Sequence, residues 1–255
     1  MTMINDPTVE VRRVLDAVKA EGRTSLTAPE GRLVCDAYGI TVPKEGVATS
    51  AADAAAIATA IGFPVVLKIV SPEILHKTEA GGVLVGVESA EGVRKGFDTI
   101  IANAKKYNAQ AKILGVQVQQ MLAGGQEVII GAVTDPVFGK LVAFGLGGVL
   151  VEVLKDITFR LSPATHDDAL SMLDGIAAAQ ILKGVRGGDP VNRDALAGMI
   201  QNVSQLVADH PEIAEMDLNP VFATKDGAIA ADVRIVVNAS PAPARFRPKL
   251  SLIHI

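Results

Sequence analysis

The segment EMDLNPVFATKDGAIAADVRIVV, residues 215–237, constrains the fold of this chain more than any other segment. An Asp-Gly pair between two apolar runs is the strongest short-range signal of a β-hairpin. If Asp226-Gly227 forms a two-residue turn, Asn219 pairs with Arg234. The segment therefore predicts two antiparallel strands and fixes which side chains share a face.

One face of this hairpin is polar and carries Asp217, Asn219, Asp232 and Arg234. The other face is apolar, suits a core, and carries Leu218, Phe222, Val233 and Ile235. The oxygens of Asn219 and Asp232 suit a hard cation such as Mg²⁺, which completes its shell with phosphate and water. The alternative interpretation is a solvated polar face, and a β-bulge would shift the pattern.

The first half of the chain combines capped helices with apolar strands. A capping box at Thr27–Glu30 and N-cap serines at Ser50 and Ser89 predict three helices. Strands are predicted in the segments FPVVLKIV, GGVLVGV and ILGVQVQQML. Residues 40–118 are therefore predicted to form a small α/β unit.

The second half has the pattern of an antiparallel sheet with helices, which is α+β in character. Two strands with a turn at Thr134–Gly139 precede a strand at 156–161. Helices are predicted over 166–182 and 192–210. The glycine-rich segments 144–152 and 183–190 are typical of turns, although glycines also let a backbone approach a ligand closely.

Composition excludes several classes of protein. Hydrophobic residues make up 49% and charged residues 20%, which indicates a globular chain, and the net charge of -4 gives no reason to expect nucleic acid or an anionic membrane as partner. No apolar run is long enough to span a bilayer, and the N-terminal segment lacks the apolar stretch of a secretory signal. With a single cysteine, Cys35, the chain is expected to be cytoplasmic. The mean hydropathy of +0.34 favours either an aliphatic core or an apolar surface covered by a partner subunit.

Two side chains stand out as candidates for chemistry. Lys68 lies within the apolar run FPVVLKIV, where it is either an edge lysine that reaches water or a cation directed into a cleft towards an anion. His76 lies in SPEILHKTEAGGV, where it is either a loop histidine with one hydrogen bond or a nucleophile that accepts a phosphoryl group. Lys77 and Lys68 could offset the charge of a phosphohistidine. Neither a P-loop nor a Rossmann glycine motif is present.

These segments occur in the order of a known family. The run ending at Lys68 is followed by SPEILHKTEAGGV, VQVQQML with GGQEVIIG, DPVFGKLVAFGLGGVLVEVLKD, KGVRG and EMDLNPV. In this order they resemble the ATP-grasp subunit of NDP-forming acyl-CoA synthetases, and most of all the β subunit of ADP-forming acetate–CoA ligases. The resemblance covers residues 24–240. It implies an ATP-grasp fold, in which two α+β lobes hold a nucleotide between their sheets.

The resemblance also implies roles for individual residues in binding ATP or ADP. Lys68 would contact the nucleotide phosphates. The segment from Gln119 to Leu122 would be the hinge between the lobes and would meet adenine through its backbone. Glu127 would lie near the ribose or the hinge.

The metal and the phosphoryl group have implied ligands as well. Asn219 and Asp232 would hold Mg²⁺. His76 would be the second phosphohistidine site of the ADP-forming members, and it would pass phosphorus between a histidine of a partner subunit and the nucleotide. The reaction would join an acid and CoA with consumption of ATP, and it would be reversible.

The resemblance divides the chain into four parts. Residues 1–42 would form N-terminal helices packed on the C-terminal lobe, 43–118 and 119–240 the two ATP-grasp subdomains, and 241–255 an irregular tail. The CoA-binding Rossmann domain of the family is absent from the sequence. A CoA-binding α subunit is therefore expected as partner, in an α₂β₂ heterotetramer, and it would bring the small carboxylic acid and CoA.

Two other functions remain open at this point. Related domains fused to acetyltransferases act as non-catalytic regulatory modules. An ATP-grasp ligase of another kind would make an amide through an acyl phosphate, and it would have no use for His76.

Overall fold

A computed structural model describes residues 6–148, 156–184 and 189–238. Its α-helices are α1 Pro7–Ala20, α2 Ala28–Ala37, α3 Ala51–Ile61, α4 Ala90–Tyr107, α5 His166–Gly175 and α6 Arg193–Asp209. Its first five strands are β1 Glu45–Ala48, β2 Val65–Val70, β3 Val83–Val87, β4 Gly115–Gln120 and β5 Gln126–Asp135. The remaining strands are β6 Gly139–Leu146, β7 Ile157–Leu161, β8 Ile213–Ala223, β9 Ala228–Ala230 and β10 Val233–Val237.

The smaller lobe, here called the N-terminal lobe, is a four-stranded antiparallel sheet in the order β1-β4-β2-β3. Helices α3 and α4 pack on one face of this sheet and enclose a core that includes Leu67, Val118 and Ile100. The predicted caps are confirmed, since the hydroxyls of Ser50 and Ser89 each accept a hydrogen bond from the third residue of their helix at 3.1 Å.

The larger lobe, here called the C-terminal lobe, is a six-stranded antiparallel sheet in the order β10-β8-β5-β6-β7, with β9 paired to β8. One face of the sheet is buried beneath helices α5 and α6 and the N-terminal helices α1 and α2, which share one core with Ile130, Phe144 and Leu218. Among the described residues, no helix of this core packs on the opposite face of the sheet. The nucleotide of an ATP-grasp protein would lie against such a face.

The hairpin at the end of the chain forms, but its predicted turn is wrong. The loop contains four residues, Thr224–Gly227, and it is closed by a hydrogen bond from the Thr224 N–H to the Gly227 carbonyl at 2.8 Å. The pairing therefore differs by two residues from the predicted one, and Arg234 lies opposite Asp217 rather than Asn219. A shift of two residues preserves the face of every side chain. The polar face is consequently retained.

The apolar face of the hairpin was predicted correctly only in part. Leu218 and Ile235 are buried, whereas Phe222 is half-buried and Val221 takes the core position. The cause is a register shift between β5 and β8, where the Asn219–Pro220 step provides one extra residue. The predicted parity therefore fails beyond Asn219.

The single helix predicted over 166–182 is also wrong. Helix α5 ends at Gly175, and a short 3-10 helix follows at Ala179–Lys183. The carboxylate of Asp156 accepts hydrogen bonds from the N–H groups of Ala177 and Ala178 at 2.7 and 2.9 Å. These bonds satisfy the backbone at the start of the second helix and hold the break in place.

Some predictions fall outside the described residues. The tail at 241–255 lies wholly outside them, and the glycine-rich segments 144–152 and 183–190 lie partly outside them. No helix in the described part of the chain is both long enough and apolar enough to cross a membrane.

Candidate functional site

Lys68 connects the two lobes. It lies on β2, which is an internal strand, so it is not an edge lysine. Its side chain is 12% exposed, and its ammonium donates hydrogen bonds to the Ala231 carbonyl at 2.9 Å and to the Asp232 carboxylate at 3.1 Å. The opposite lobe therefore supplies the anionic partner that a half-buried ammonium requires. A phosphate bound at this position could accept hydrogen bonds from the same Lys68 ammonium.

The loop that carries His76 is held against β2 by its glycines. The Gly82 N–H donates to the Lys77 carbonyl, and the Ile69 N–H donates to the Gly82 carbonyl, both at 2.8 Å. Gly81 has a φ of +61°, a conformation that favours glycine. A Cβ atom on Gly82 would lie 2.5 Å from the Ile69 side chain. The Gly-Gly pair therefore fixes the base of the loop.

His76 lies at the outer part of this loop. Its side chain is 73% exposed, and its Nδ1 atom is 3.9 Å from the Glu79 carboxylate. The neighbouring Lys77 places its ammonium 3.6 Å from the Asp232 carboxylate. The imidazole is therefore accessible from solvent. The ammonium groups of Lys68 and Lys77 both lie near the Asp232 carboxylate.

The hairpin residues proposed to bind a metal lie directly opposite each other. The backbone N–H of Asn219 donates to the carbonyl of Asp232 at 3.2 Å, and both side chains are at least partly accessible. On the same face, burial raises the pKa of Asp217, and the charge of Arg234 opposes this shift. The polar face therefore carries both amide and carboxylate oxygens.

This pair of ligands fits Mg²⁺. One carboxylate and one amide leave most of an octahedral shell for phosphate oxygens and water, as Mg²⁺ prefers. Residues 6–148, 156–184 and 189–238 contain no group of three or more His, Cys, Asp or Glu side chains placed to hold a metal ion by themselves. The site is therefore suited to a cation that arrives with a phosphate ligand.

A cavity of about 370 Å³ brings the predicted catalytic groups together. It lies between the lobes, and its walls include Lys68, His76, Lys77, Asn219 and Asp232. Two ammonium groups, an imidazole and two oxygen ligands thus border one open space. This set can bind a polyphosphate with its cation and offers a nucleophile to the terminal phosphorus.

The three predicted hinge residues lie elsewhere. Gln119 is buried, and its amide donates to the Glu45 carboxylate at 2.9 Å. Leu122 lines a second cavity of about 540 Å³ beside the hinge. The carbonyl of Glu127 accepts a hydrogen bond from the N–H of Gly147 at 2.8 Å. None of the three borders the 370 Å³ cavity, so their contacts with a nucleotide stay a prediction.

Two contacts of this region were not predicted. Glu45 accepts hydrogen bonds from the amides of both Gln117 and Gln119 at the interface of the lobes. Two glutamines alternating with valines in one strand require polar partners, so hydrogen-bonding partners could have been predicted, but the alternation does not identify Glu45. Lys68 also donates to the backbone carbonyl of Ala231. Every residue has such a carbonyl, so the sequence contains no signal for this contact.

Comparisons with known proteins show what the chain as a whole is similar to. The profile of the ATP-grasp domain matches residues 17–237. The beta subunit of acetate–CoA ligase (ADP-forming) I from Pyrococcus furiosus is 46% identical over 91% of this chain and 100% of that protein. The 4-hydroxybutyrate–CoA ligase (ADP-forming) of Nitrosopumilus maritimus is 45% identical over 89% of this chain but only 33% of its own length.

A solved structure provides the third comparison. It is dinucleotide-forming acetyl-coenzyme A synthetase 1 of Ca. Korarchaeum cryptofilum, in complex with coenzyme A and Mg-AMPPCP. The match has a TM-score of 0.79 and 39% identity, and it covers 89% of this chain and 100% of the other. In that structure, the phosphohistidine segment points towards the nucleotide binding site.

Proposed function

Because the chain belongs to the ATP-grasp family, among the β subunits of ADP-forming acyl-CoA synthetases, we propose that it is the nucleotide-binding subunit of such a ligase. The enzyme joins a carboxylic acid to CoA while ATP becomes ADP and phosphate, and the reaction is reversible. The observation that carries the proposal is the shared cavity bordered by Lys68, His76, Asn219 and Asp232.

The chemistry assigned to His76 is transfer of a phosphoryl group. In the ATP-consuming direction, an imidazole nitrogen forms a bond to the γ-phosphorus, and the bond from that phosphorus to the bridging oxygen of ADP breaks. ADP leaves with that electron pair, and the ring carries the phosphoryl group to the partner subunit. High exposure of His76 suits a group that must both receive and deliver phosphorus.

The other residues prepare this transfer. Lys68 would move from its bond with Asp232 to the nucleotide phosphates, where a cation stabilises the charge of the transition state. Asn219 and Asp232 would hold Mg²⁺, which neutralises phosphate charge when bound. The backbone between Gln119 and Leu122 would position the adenine, and Glu127 the ribose.

The chain needs a partner to complete the reaction. We assign the CoA-binding site, the acid pocket and the first phosphohistidine to an α subunit, in an α₂β₂ assembly that we expect in the cytoplasm. Support comes from the N. maritimus ligase, in which the region like this chain makes up 33% of a longer polypeptide. A non-catalytic regulatory module is the second candidate, but it would not need an intact set of phosphate, metal and nucleophile residues.

The test is to label the purified chain with γ-³²P-ATP and Mg²⁺. We expect protein phosphate that is labile in acid and stable in base, and we expect His76→Ala to abolish it. His166→Ala is the matched control, because His166 is also solvent-accessible and lies on α5, outside the cavity. Labelling that survives His76→Ala, or an absence of labelling in the wild-type chain, would contradict the proposed role.

A further inference from the structure

His76 and Glu79 lie on one helical turn within the loop that follows β2. The Ala80 N–H donates to the His76 carbonyl at 3.2 Å, in the pattern of an α-helical turn. Side chains three positions apart on such a turn lie on the same side of it. The backbone itself therefore places the carboxylate of Glu79 beside the imidazole of His76.

The Glu79 carboxylate approaches one particular nitrogen of the ring. Its Oε1 atom lies 3.9 Å from Nδ1 of His76, and both side chains border the 370 Å³ cavity. This distance is too long for a hydrogen bond, but contacts between catalytic groups are often long in structures without substrate and tighten when substrate binds. The two side chains are 73% and 71% exposed, so a small rotation of either can close the gap.

The other charged groups around the cavity leave Glu79 available to His76. The ammonium groups of Lys68 and Lys77 lie 3.1 and 3.6 Å from the carboxylate of Asp232. Among the residues that the structure describes, His76 is the ion-pair partner of Glu79. The cavity is therefore bordered by one carboxylate that faces two lysines and by a second carboxylate that faces the imidazole.

A carboxylate beside Nδ1 decides which nitrogen of His76 reacts. A neutral imidazole carries one proton, and the nitrogen without it supplies the electron pair to phosphorus. An unrestrained histidine places this proton mainly on Nε2, whereas an acceptor beside Nδ1 favours a proton on Nδ1. The electron pair of Nε2 is then free. The carboxylate also offsets the positive charge that the ring acquires when Nε2 bonds to phosphorus.

We propose that Glu79 is a positioning residue for phosphoryl transfer, which holds the proton of His76 on Nδ1 and directs the phosphoryl group to Nε2. This inference rests on the proposed function, because it concerns how His76 accepts the group. Nε2 forms its bond to the γ-phosphorus while the bond from that phosphorus to the bridging oxygen of ADP breaks, and ADP leaves with that electron pair. The proton stays on Nδ1 throughout, so the step needs no further acid or base.

The test combines ATP labelling with two measurements by nuclear magnetic resonance. Long-range ¹H–¹⁵N spectra of the nucleotide-free chain, at about pH 8 where an ordinary imidazole is neutral, show which nitrogen of His76 carries the proton. The signals of His76 are identified by their loss in His76→Ala. After labelling with ATP and Mg²⁺, ³¹P spectra of the chain unfolded in base distinguish phosphate on Nε2 from phosphate on Nδ1.

The variants are Glu79→Ala and Glu79→Gln, with Glu91→Gln as the matched control. Glu91 has nearly the same exposure, 75% against 71%, and it forms an ion pair of its own on α4, outside the cavity. We expect Glu79→Ala to move the proton towards Nε2, to place phosphate on both nitrogens, and to slow labelling about 10–100-fold, as for other groups that orient a histidine. Glu79→Gln, whose amide oxygen can still accept from Nδ1, should keep phosphate on Nε2 at an intermediate rate. Glu91→Gln should behave like the wild type.

The outcomes separate this inference from the proposed function. If His76→Ala abolishes labelling but Glu79→Ala keeps the proton on Nδ1 and phosphate only on Nε2, the inference is wrong and the proposed function stands. A slower rate alone, without a change in the position of proton or phosphate, reflects only the lost charge and also overturns the inference. A wild-type ring that carries its proton on Nε2 does the same. If the wild-type chain is not labelled at all, both fail.

Discussion

The substitution Gly82→Ala tests whether the Gly-Gly pair fixes the base of the His76 loop. The added Cβ would lie 2.5 Å from Ile69 Cγ2 and 3.0 Å from the carbonyl oxygen of Lys77. Contacts of this kind need a separation of about 3.5–4.0 Å, so loop and strand must move apart by about 1 Å. Overpacking of this size costs about 1–3 kcal/mol. The same movement strains two hydrogen bonds of 2.8 Å, each worth about 1 kcal/mol.

We therefore expect Gly82→Ala to lower the free energy of unfolding by about 2–4 kcal/mol, measured by urea denaturation and circular dichroism. It should also slow labelling of His76, because the loop that carries this ring is displaced. Gly198→Ala is the matched control. Gly198 lies within helix α6 with no atom within 4 Å of an added Cβ, so the same change should stabilise the chain by about 0.5–1 kcal/mol. Equal stability of the Gly82→Ala variant and the wild type would refute this explanation of the glycine pair.

Three further predictions concern charge. Lys68→Met should slow labelling of His76 by about 10²–10³-fold in single-turnover assays, because a cation on the transferring phosphate is lost; an unchanged rate would exclude Lys68 from the site. Asp232→Asn should raise the Mg²⁺ concentration for half-maximal labelling about 10-fold or more, since one of two ligands loses its charge, whereas Asp226→Asn in the exposed hairpin loop should not. Burial lowers the pKa of His210 below its ordinary 6.5, so the folded chain favours the neutral ring. The contribution of His210 to the free energy of unfolding should therefore be complete above pH 6.5 and should decline as the pH falls below it. In urea denaturation at several pH values, the His210→Gln variant should lack this pH dependence.

The sequence predicted most of the elements because their signals are local. Capping serines at Ser50 and Ser89 and the strand runs around Lys68 involve residues within a few positions of one another. The hairpin loop shows where such signals end. The Asp226-Gly227 pair favours a two-residue turn, but the Asp226 N–H donates to the Thr224 hydroxyl and the loop closes with four residues. The preference of the dipeptide was overridden by its neighbours.

The candidate site was predictable for residues with distinctive chemistry. Lys68, His76, Asn219 and Asp232 lie up to 164 positions apart in the chain, yet they border one cavity. Their association could be expected from the order of the motifs. The contacts of Glu45 follow from the pairing of β1 with β4 in one sheet, whereas the contact of the Ala231 carbonyl with Lys68 depends on how the two lobes meet, and no local pattern encodes either arrangement.

The central claim is that the 370 Å³ cavity between the lobes holds the phosphates of the nucleotide and their magnesium within reach of His76. The most direct measurement is a crystal structure of the chain with ADP and Mg²⁺. We expect the phosphates beside Lys68, the metal on Asn219 and Asp232, and the adenine at the Gln119–Leu122 hinge. Phosphates bound away from Lys68 and His76, or a metal bound without Asp232, would contradict the account.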